Sequence, residues 1–263
     1  MEVFGNTLLI TGGASGIGLA LAQAFAQRSN KVIVCGRDPT KLAAAQRAVP
    51  ELEAKRCDLT VPAEREDLIT WTLERFPELN MLINNAGVAH SIDLRSDTFD
   101  FDLIRQEFAT NLQVPIEIAL RLLPHLKRRA HAALVNVTTG QVYSPNAATP
   151  IYSAAKAGLH AWTQAVRYQL RDTPVRVFEV LPPLVDTGMI KGLGVPVGGA
   201  ISPGEVADAT LKAMAQDDEE IRIGPTKTLY VVSRIAPQRV YRSLNRRIET
   251  LQRQNRKVDK KAA

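Results

Sequence analysis

Only two cysteines, Cys35 and Cys57, occur in 263 residues. Two thiols supply neither a disulfide framework nor a thiolate metal cluster, so a reducing compartment is expected. Both sit in strand-like apolar stretches and are read as buried small hydrophobes. No apolar run approaches the ~20 residues of a membrane-spanning helix. The opening MEVFGNTLLI enters a short apolar stretch with neither a charged leader nor a cleavage site, so no export signal is read there. A soluble, cytoplasmic protein is the expectation. Internal repeats and low-complexity linkers are missing as well. So is the Gly-Lys-Ser/Thr of a P-loop, which excludes phosphoryl transfer as the use of the glycine-rich stretch described below.

An excess of one charge sign is confined to the end of the chain. The formal net charge is +6, yet from Arg234 onward ten Lys and Arg face only Glu249 and Asp259, a surplus of eight. The preceding residues therefore sum to about −2. A nucleic-acid surface spreads positive charge over the fold, so no nucleic-acid partner is expected. Within the basic tail, apolar residues at 240, 244, 248 and 251 share one helix face. Such a helix packs on its own subunit or lies on an anionic membrane; packing is the favoured reading.

What is present is alternation. TLLIT (7–11), KVIVCG (31–36), NMLINNAG (80–87), AALVNVT (132–138) and VRVFEVLPP (175–183) are rich in Val, Ile and Leu. Such continuous runs suit strands buried on both faces of a parallel sheet. LEAKRCD (52–58) is a weaker strand and EEIRIG (219–224) a late one. Helical patterns fall between them at 17–29, 39–48, 62–76, 100–128, 151–171 and 203–217. The expected fold class is α/β: a doubly wound, mostly parallel seven-stranded sheet with helices on both faces. The alternation never pauses, so residues 1–233 read as one domain and 234–263 as a basic helical tail. The segment 181–202 is rich in Gly and Pro and aperiodic. It is longer than an ordinary connection, hence a functional lid or a disordered loop, with the lid favoured.

TGGASGIG (11–18) follows the first strand and opens an apolar helix. Gly12, Gly16 and Gly18 let the backbone turn tightly and approach a pyrophosphate, which the helix N-terminus receives on its amides and dipole. The end of the second strand faces the adenosine ribose in such a site. There, binders of NAD carry Asp or Glu for the 2′-hydroxyl. This chain has Gly36 and Arg37 instead, and an arginine suits a 2′-phosphate, so NADP(H) is favoured over NAD(H). Asp38, turned inward, would reverse that preference. Asp58, after the third strand, either accepts from the adenine amino group or caps the next helix.

YSAAK (152–156) puts Tyr152 and Lys156 four positions apart, on one face of a helix. A cation beside a phenol favours phenolate and lowers its pKa, which would tune Tyr152 for proton transfer near neutral pH.

With these stretches in this order, together with CDLT, NNAG (84–87), TNL (110–112), VNVTTG (135–140) and LPPLVDTGM (181–189), the chain resembles the short-chain dehydrogenase/reductase family in its compact single-domain form. The resemblance covers about residues 5–225 and implies a Rossmann fold. It implies hydride transfer between a nicotinamide and a small carbonyl or alcohol substrate. Tyr152 then donates or accepts the proton, while Lys156 lowers its pKa and binds the ribose hydroxyls. Asn111 matches the asparagine whose backbone holds a relay water. Asn85, Ala86 and Gly87 match the motif supporting the adenosine side of the cleft. Thr187 matches the threonine that binds carboxamide or phosphate, with Val185 and Pro182 beside it. Cofactor contacts extend to Thr11, Ala14, Ser15 and Ile17 in the first turn and to Leu59 beside Asp58. The family assembles as homodimers or homotetramers, here through the helices at 100–128 and 151–171. Within the family, CGRDPTKL, LPPLVDTG and IRIGPTKTLYVVSRIAP are similar to oxidoreductases encoded beside lipoteichoic-acid D-alanylation genes, a neighbourhood that implies no substrate.

Two departures stand out. Thirteen residues before Tyr152 the family has serine; Thr139 keeps a hydroxyl for the substrate oxygen, but its methyl narrows the pocket and stiffens χ1. If the loop shifts by one, Thr138 takes that place. Pro183 stands where Pro-Gly is usual, and it removes an N–H and fixes φ. These two support a rival reading: a catalytically weak dinucleotide-binding regulator or scaffold. Val142, Tyr143 and Met189 line the pocket or simply pack, and His90 is read as a surface loop residue.

Overall fold

The computed structural model describes residues 1–193 and 198–262, with side chains through residue 250. Strands form where the apolar runs stand: β1 (Thr7–Thr11), β2 (Lys31–Gly36), β3 (Glu53–Arg56), β4 (Met81–Asn84), β5 (Ala132–Val137), β6 (Val175–Leu181) and β7 (Glu220–Arg222). They pair in the order β3-β2-β1-β4-β5-β6-β7, every pair parallel. The chain winds outward from β1 in one direction and then, from β4, in the other. A crevice therefore opens at the carboxyl ends of β1 and β4.

Helices α1 (Gly16–Ala26), α2 (Pro39–Ala48) and α3 (Pro62–Arg75) follow the first three strands. After β4 come α4 (Phe101–Phe108), a π turn (Ala109–Gln113) and α5 (Val114–Leu126); after β5 comes α6 (Pro150–Leu170). Then α7 (Gly188–Gly192) and α8 (Pro203–Ala215) precede β7, and α9 (Pro225–Ile235) and α10 (Pro237–Ala262) follow it. Successive strand residues face opposite sides of the sheet. Leu8, Ile10, Val32 and Val34 pack with Leu21 and Phe25 of α1 and Val206 and Leu211 of α8. Leu9, Ile33, Cys35 and Leu82 pack with Leu68 of α3 and Ile118 and Leu122 of α5. Both faces are covered, so the strands read as unbroken apolar runs. The edge strand β3 has no buried residue, which is why its signal was weak.

Pro39, Pro62, Pro150, Pro203 and Pro225 each stand in a first helical turn, where a missing N–H costs nothing. Ser202 and Glu205 close a capping box on α8. The helix predicted over 100–128 is broken by the π turn. Pro115, four residues after Asn111, has no N–H to offer the Asn111 carbonyl, so an α pattern cannot run through.

In the aperiodic segment 181–202, α7 forms and a parallel bridge joins Val185 to Ile201; the stretch 194–197 of the expected lid lies outside the described residues. Along α10, Val240, Leu244 and Ile248 are half-buried. Asn245 reaches back to the loop before α6: its Nδ2 donates to the Pro145 carbonyl at 3.0 Å, and its Oδ1 accepts from the Ala147 N–H at 2.7 Å. Among the described residues no helix is long and apolar enough to cross a membrane. Phe101, Phe108, Leu120 and Tyr168 remain exposed on α4, α5 and α6.

The tightest approach in the fold is at Gly18. A Cβ there would lie 2.4 Å from both the Gly12 carbonyl oxygen and Asn85 Nδ2, whereas one at Gly36 would meet nothing closer than 3.8 Å. Gly18→Ala is therefore expected to cost about 1–3 kcal/mol and Gly36→Ala to stay within about 0.5 kcal/mol. Urea denaturation of the two variants checks this; equal midpoints would contradict it.

Candidate active site

The glycine turn lines one side of the crevice. Gly12 and Gly16 adopt φ of +65° and +54°, the left-handed region that favours glycine. Thr11 Oγ1 accepts the Asn85 and Ala86 amides at 3.0 and 3.1 Å, while Asn85 Nδ2 donates to the Thr11 and Gly12 carbonyls at 3.0 and 3.2 Å. The Thr11 and Asn85 side chains thus brace the turn and are spent on protein partners. Ser15, at the N-cap of α1, makes no side-chain cap bond, and the first turn carries no acid. The helix end is left to an anion. Across the gap, a Cβ at Gly16 would touch Thr187 Cγ2 at 3.3 Å. Thr187 itself caps α7 without a side-chain bond. A dinucleotide phosphate fits this cradle, with Ala14 facing Gly36 at its adenosine end. Ile17 points instead into the core.

Four side chains converge on the other side. Lys156, only 3% exposed, donates from Nζ to the Val137 carbonyl at 2.8 Å and lies 6.0 Å from the Tyr152 ring centroid. The Thr139 side chain lies beside the Tyr152 phenol and acts to lower its pKa. Asn111 is fully buried in the π turn; its Oδ1 accepts from the Val88 N–H at 3.1 Å and its Nδ2 donates to the Val88 carbonyl at 2.7 Å. Asn111 and Lys156 meet at Gly87: a Cβ there would find Asn111 Oδ1 at 3.0 Å, Met189 Cε at 3.7 Å and Lys156 Nζ at 3.8 Å.

The expected tuning of Tyr152 is corrected. Its hydroxyl is pushed up to about 12 by burial, against the lowering effect of Thr139, and the Glu107 charge adds to the rise. The residue as a whole keeps some exposure, but the packing around its hydroxyl lets desolvation win. Lys156 shares the helix face as foreseen, yet its ammonium turns down to the sheet. Burial lowers that amine to about 8.

Other expectations divide. Thr138 is engaged below the cleft, donating to Glu179 Oε1 at 2.5 Å, so Thr139 and not Thr138 faces the tyrosine. Asp38 does not turn inward: it caps α2, accepting from the Thr40 and Lys41 amides at 2.9 and 3.2 Å, and Arg37 stands exposed beside it. Asp58 caps no helix, because Val61 is the N-cap of α3. Its Oδ1 accepts the Thr60 hydroxyl at 2.7 Å and amide at 2.9 Å, and the hydroxyl bond is the main reason its pKa falls. Leu59 is buried, with its carbonyl holding Arg65. The Pro182 carbonyl accepts the Gly140 N–H at 2.9 Å, and Val185 is buried at its bridge. Tyr143 leaves the pocket: it packs edge-on against His160 and Tyr230 and accepts from Arg222 at 3.1 Å. His90 is no plain surface residue. Its Nδ1 lies 3.0 Å from Oε2 of Glu107, whose exposure is 0%.

Two buried carboxylates, Glu107 and Glu179, escaped the sequence reading. Glu179 interrupts an apolar run, VFEVL of β6. A charge on a buried face is itself a signal that a partner awaits it.

Comparison with known proteins agrees with this geometry. The short chain dehydrogenase family model matches residues 6–195. The uncharacterized oxidoreductase DltE of Bacillus subtilis is 42% identical over 189 residues, covering 72% of this chain and 75% of that protein. A short-chain dehydrogenase of Sphingobium yanoikuyae in complex with NADPH is 27% identical, with a TM-score of 0.75 over 82% of this chain and 87% of that one. A short chain dehydrogenase of Burkholderia cenocepacia in complex with NADP, 24% identical, shares the fold at a TM-score of 0.80 over 93% of this chain and 99% of that one. The protein is thus an oxidoreductase with the fold of nicotinamide-dinucleotide enzymes, and the chain belongs to the short-chain dehydrogenase family.

Proposed function

We propose that the protein is an NADP(H)-dependent carbonyl reductase, working in reverse as an alcohol dehydrogenase, with Tyr152 as the proton donor. The observation that carries this reading is the approach of Lys156 and Asn111 to Gly87, with Tyr152 beside Lys156 and Thr139 beside Tyr152, in a fold whose first helix leaves its N-terminus uncapped. A dinucleotide held by the glycine turn and Lys156 would supply the hydride. The chain's residues handle everything else. The Thr139 hydroxyl holds the substrate oxygen beside the phenol. Tyr152 passes its proton to that oxygen as the C–H bond forms. Lys156 holds the ribose hydroxyls and the local positive charge. The Asn111 carbonyl, without an α-helical donor from Pro115, is suited to a water that returns the proton from solvent.

The phenol has the protonation state that reduction needs, although burial makes it a weaker acid than an ordinary tyrosine. At neutral pH Tyr152 is protonated and ready to donate. A substrate alkoxide is a stronger base than even this phenolate, so the transfer runs downhill. Met189, against Gly87, and the extra methyl of Thr139 favour a substrate that is apolar near its carbonyl and slim enough to pass the threonine. The preference for NADP(H) is supported by Arg37, which stands exposed at the end of β2 while Asp38 is held in its cap.

Tyr152→Phe is expected to lower turnover about a hundred- to ten-thousandfold and to leave NADPH affinity nearly unchanged. Unchanged turnover across a panel of ketones and aldehydes would remove the proton donor. In fluorescence titrations, wild-type protein should bind NADPH roughly tenfold or more tighter than NADH, and Arg37→Ala should erase the difference. Equal affinities in the wild type would remove the NADP(H) preference.

A further inference from the structure

Beneath the cleft, between α6 and the sheet, lies a charged cluster that the proposed reaction does not use directly. Glu179 of β6 is 0% exposed. Asn136 of β5 is its register partner, and its side chain points to the α6 side of the sheet, as do those of Asn136 and Thr138. Thr138 Oγ1 donates to Oε1 at 2.5 Å, and His160 Nδ1 lies 2.9 Å from each carboxylate oxygen. The carboxylate can only accept, so Nδ1 carries the hydrogen. His160 is one helical turn after Lys156 and on the same face. The carboxylate is therefore aimed at the stretch of α6 that carries the buried amine.

A buried ammonium needs a partner of opposite charge. One backbone carbonyl, that of Val137, supplies only a partial dipole. We propose that Glu179 is the counter-charge of Lys156: gripped by Thr138 and His160, it keeps the amine charged beneath the cleft and is a positioning residue for the reaction. Its electrostatic influence reaches the amine and opposes the effect of burial. The other charged groups around the carboxylate have partners of their own. Arg167 of α6 pairs with Glu219 and Glu220 at 3.5 Å each. Arg222 of β7 pairs with Glu220 and donates to Tyr143. Arg234 of α9 stacks over Tyr230 at 3.6 Å. Tyr143 packs on His160 as a neutral ring. Arg167 also feels the Glu179 charge, so Lys156 shares that carboxylate with a guanidinium whose direct ion pairs lie with Glu219 and Glu220.

The sign follows directly. With Glu179 in place, the amine loses its proton as pH rises through about 8. Without that negative charge the ammonium is less favoured, and the loss moves to lower pH. This inference rests on the proposed dinucleotide site only for its first readout, NADPH binding followed by fluorescence across the neutral range. Wild-type affinity should hold steady and then weaken above pH about 8. In Glu179→Gln the weakening should begin about one pH unit lower or more, and Glu179→Asp, which keeps the charge, should return it towards the wild-type position. A Glu179→Gln midpoint equal to wild type overturns the proposal.

The second readout needs no dinucleotide. Chemical denaturation of Lys156→Met, Glu179→Gln and the double variant should show the double change costing less than the sum of the single ones. Additive costs overturn the pairing. Should Glu179→Gln fail to fold, rescue by Lys156→Met supports the proposal and the absence of rescue overturns it. A protein that binds no NADPH would fail the functional reading while this cycle still decides the pairing.

Discussion

A protonated amine held out of water is the constraint around which this protein is built. Lys156 is buried at the carboxyl edge of a sheet whose core is mostly apolar. Three features of the fold answer that cost. β5 ends where the Val137 carbonyl can accept from it. β6 carries Glu179 in the middle of an apolar run, and α6 sets His160 one turn further along. Interior charges are tolerated only when paired and hydrogen-bonded, so the positions of β5, β6 and α6 relative to one another are tied to the same requirement that serves the chemistry.

The two sides of the crevice are rigid for different reasons. The dinucleotide side is a main-chain structure, in which glycines bring the turn close and Thr11 and Asn85 fasten β1 to β4. The substrate side is assembled from segments far apart in the chain. The Ile92 amide donates to the Ala148 carbonyl at 3.1 Å, Asn245 of α10 grips residues 145 and 147, and Tyr143 is stacked with Tyr230 of α9. The loop between Thr139 and Tyr152 is thereby held from outside by the C-terminal helices. That places the basic tail in the architecture of the site through its polar contacts, while its charge stays on the surface.

How much was legible follows from where each residue's partners lie. Strands buried on both faces announce themselves as runs, and β1, β2, β4, β5 and β6 stand within a few residues of their predicted spans. The glycine turn and the Tyr152–Lys156 spacing are local patterns and were readable as such. The break at Asn111 had a local signal too, since Pro115 cannot complete an α-helix through it, but it was read as one long helix. Asp38 before Pro39 is an N-cap signature that went unread, and Asp38 does cap α2. The direction of the Tyr152 shift was not legible, because spacing gives adjacency while desolvation depends on packing from elements elsewhere in the chain. The same holds for Glu107 with His90 and Glu179 with His160, whose partners lie 17 and 19 residues away in the chain, beyond any local pattern.

The central claim is that the amine of Lys156 is charged, buried and poised to lose its proton close to the working range. Heteronuclear NMR of lysine side chains, with the signal of residue 156 identified by its loss in Lys156→Met, measures this directly. The account predicts one lysine titrating at about 8, apart from the exposed lysines. A Lys156 signal that titrates at the ordinary lysine value of 10.5 would contradict it.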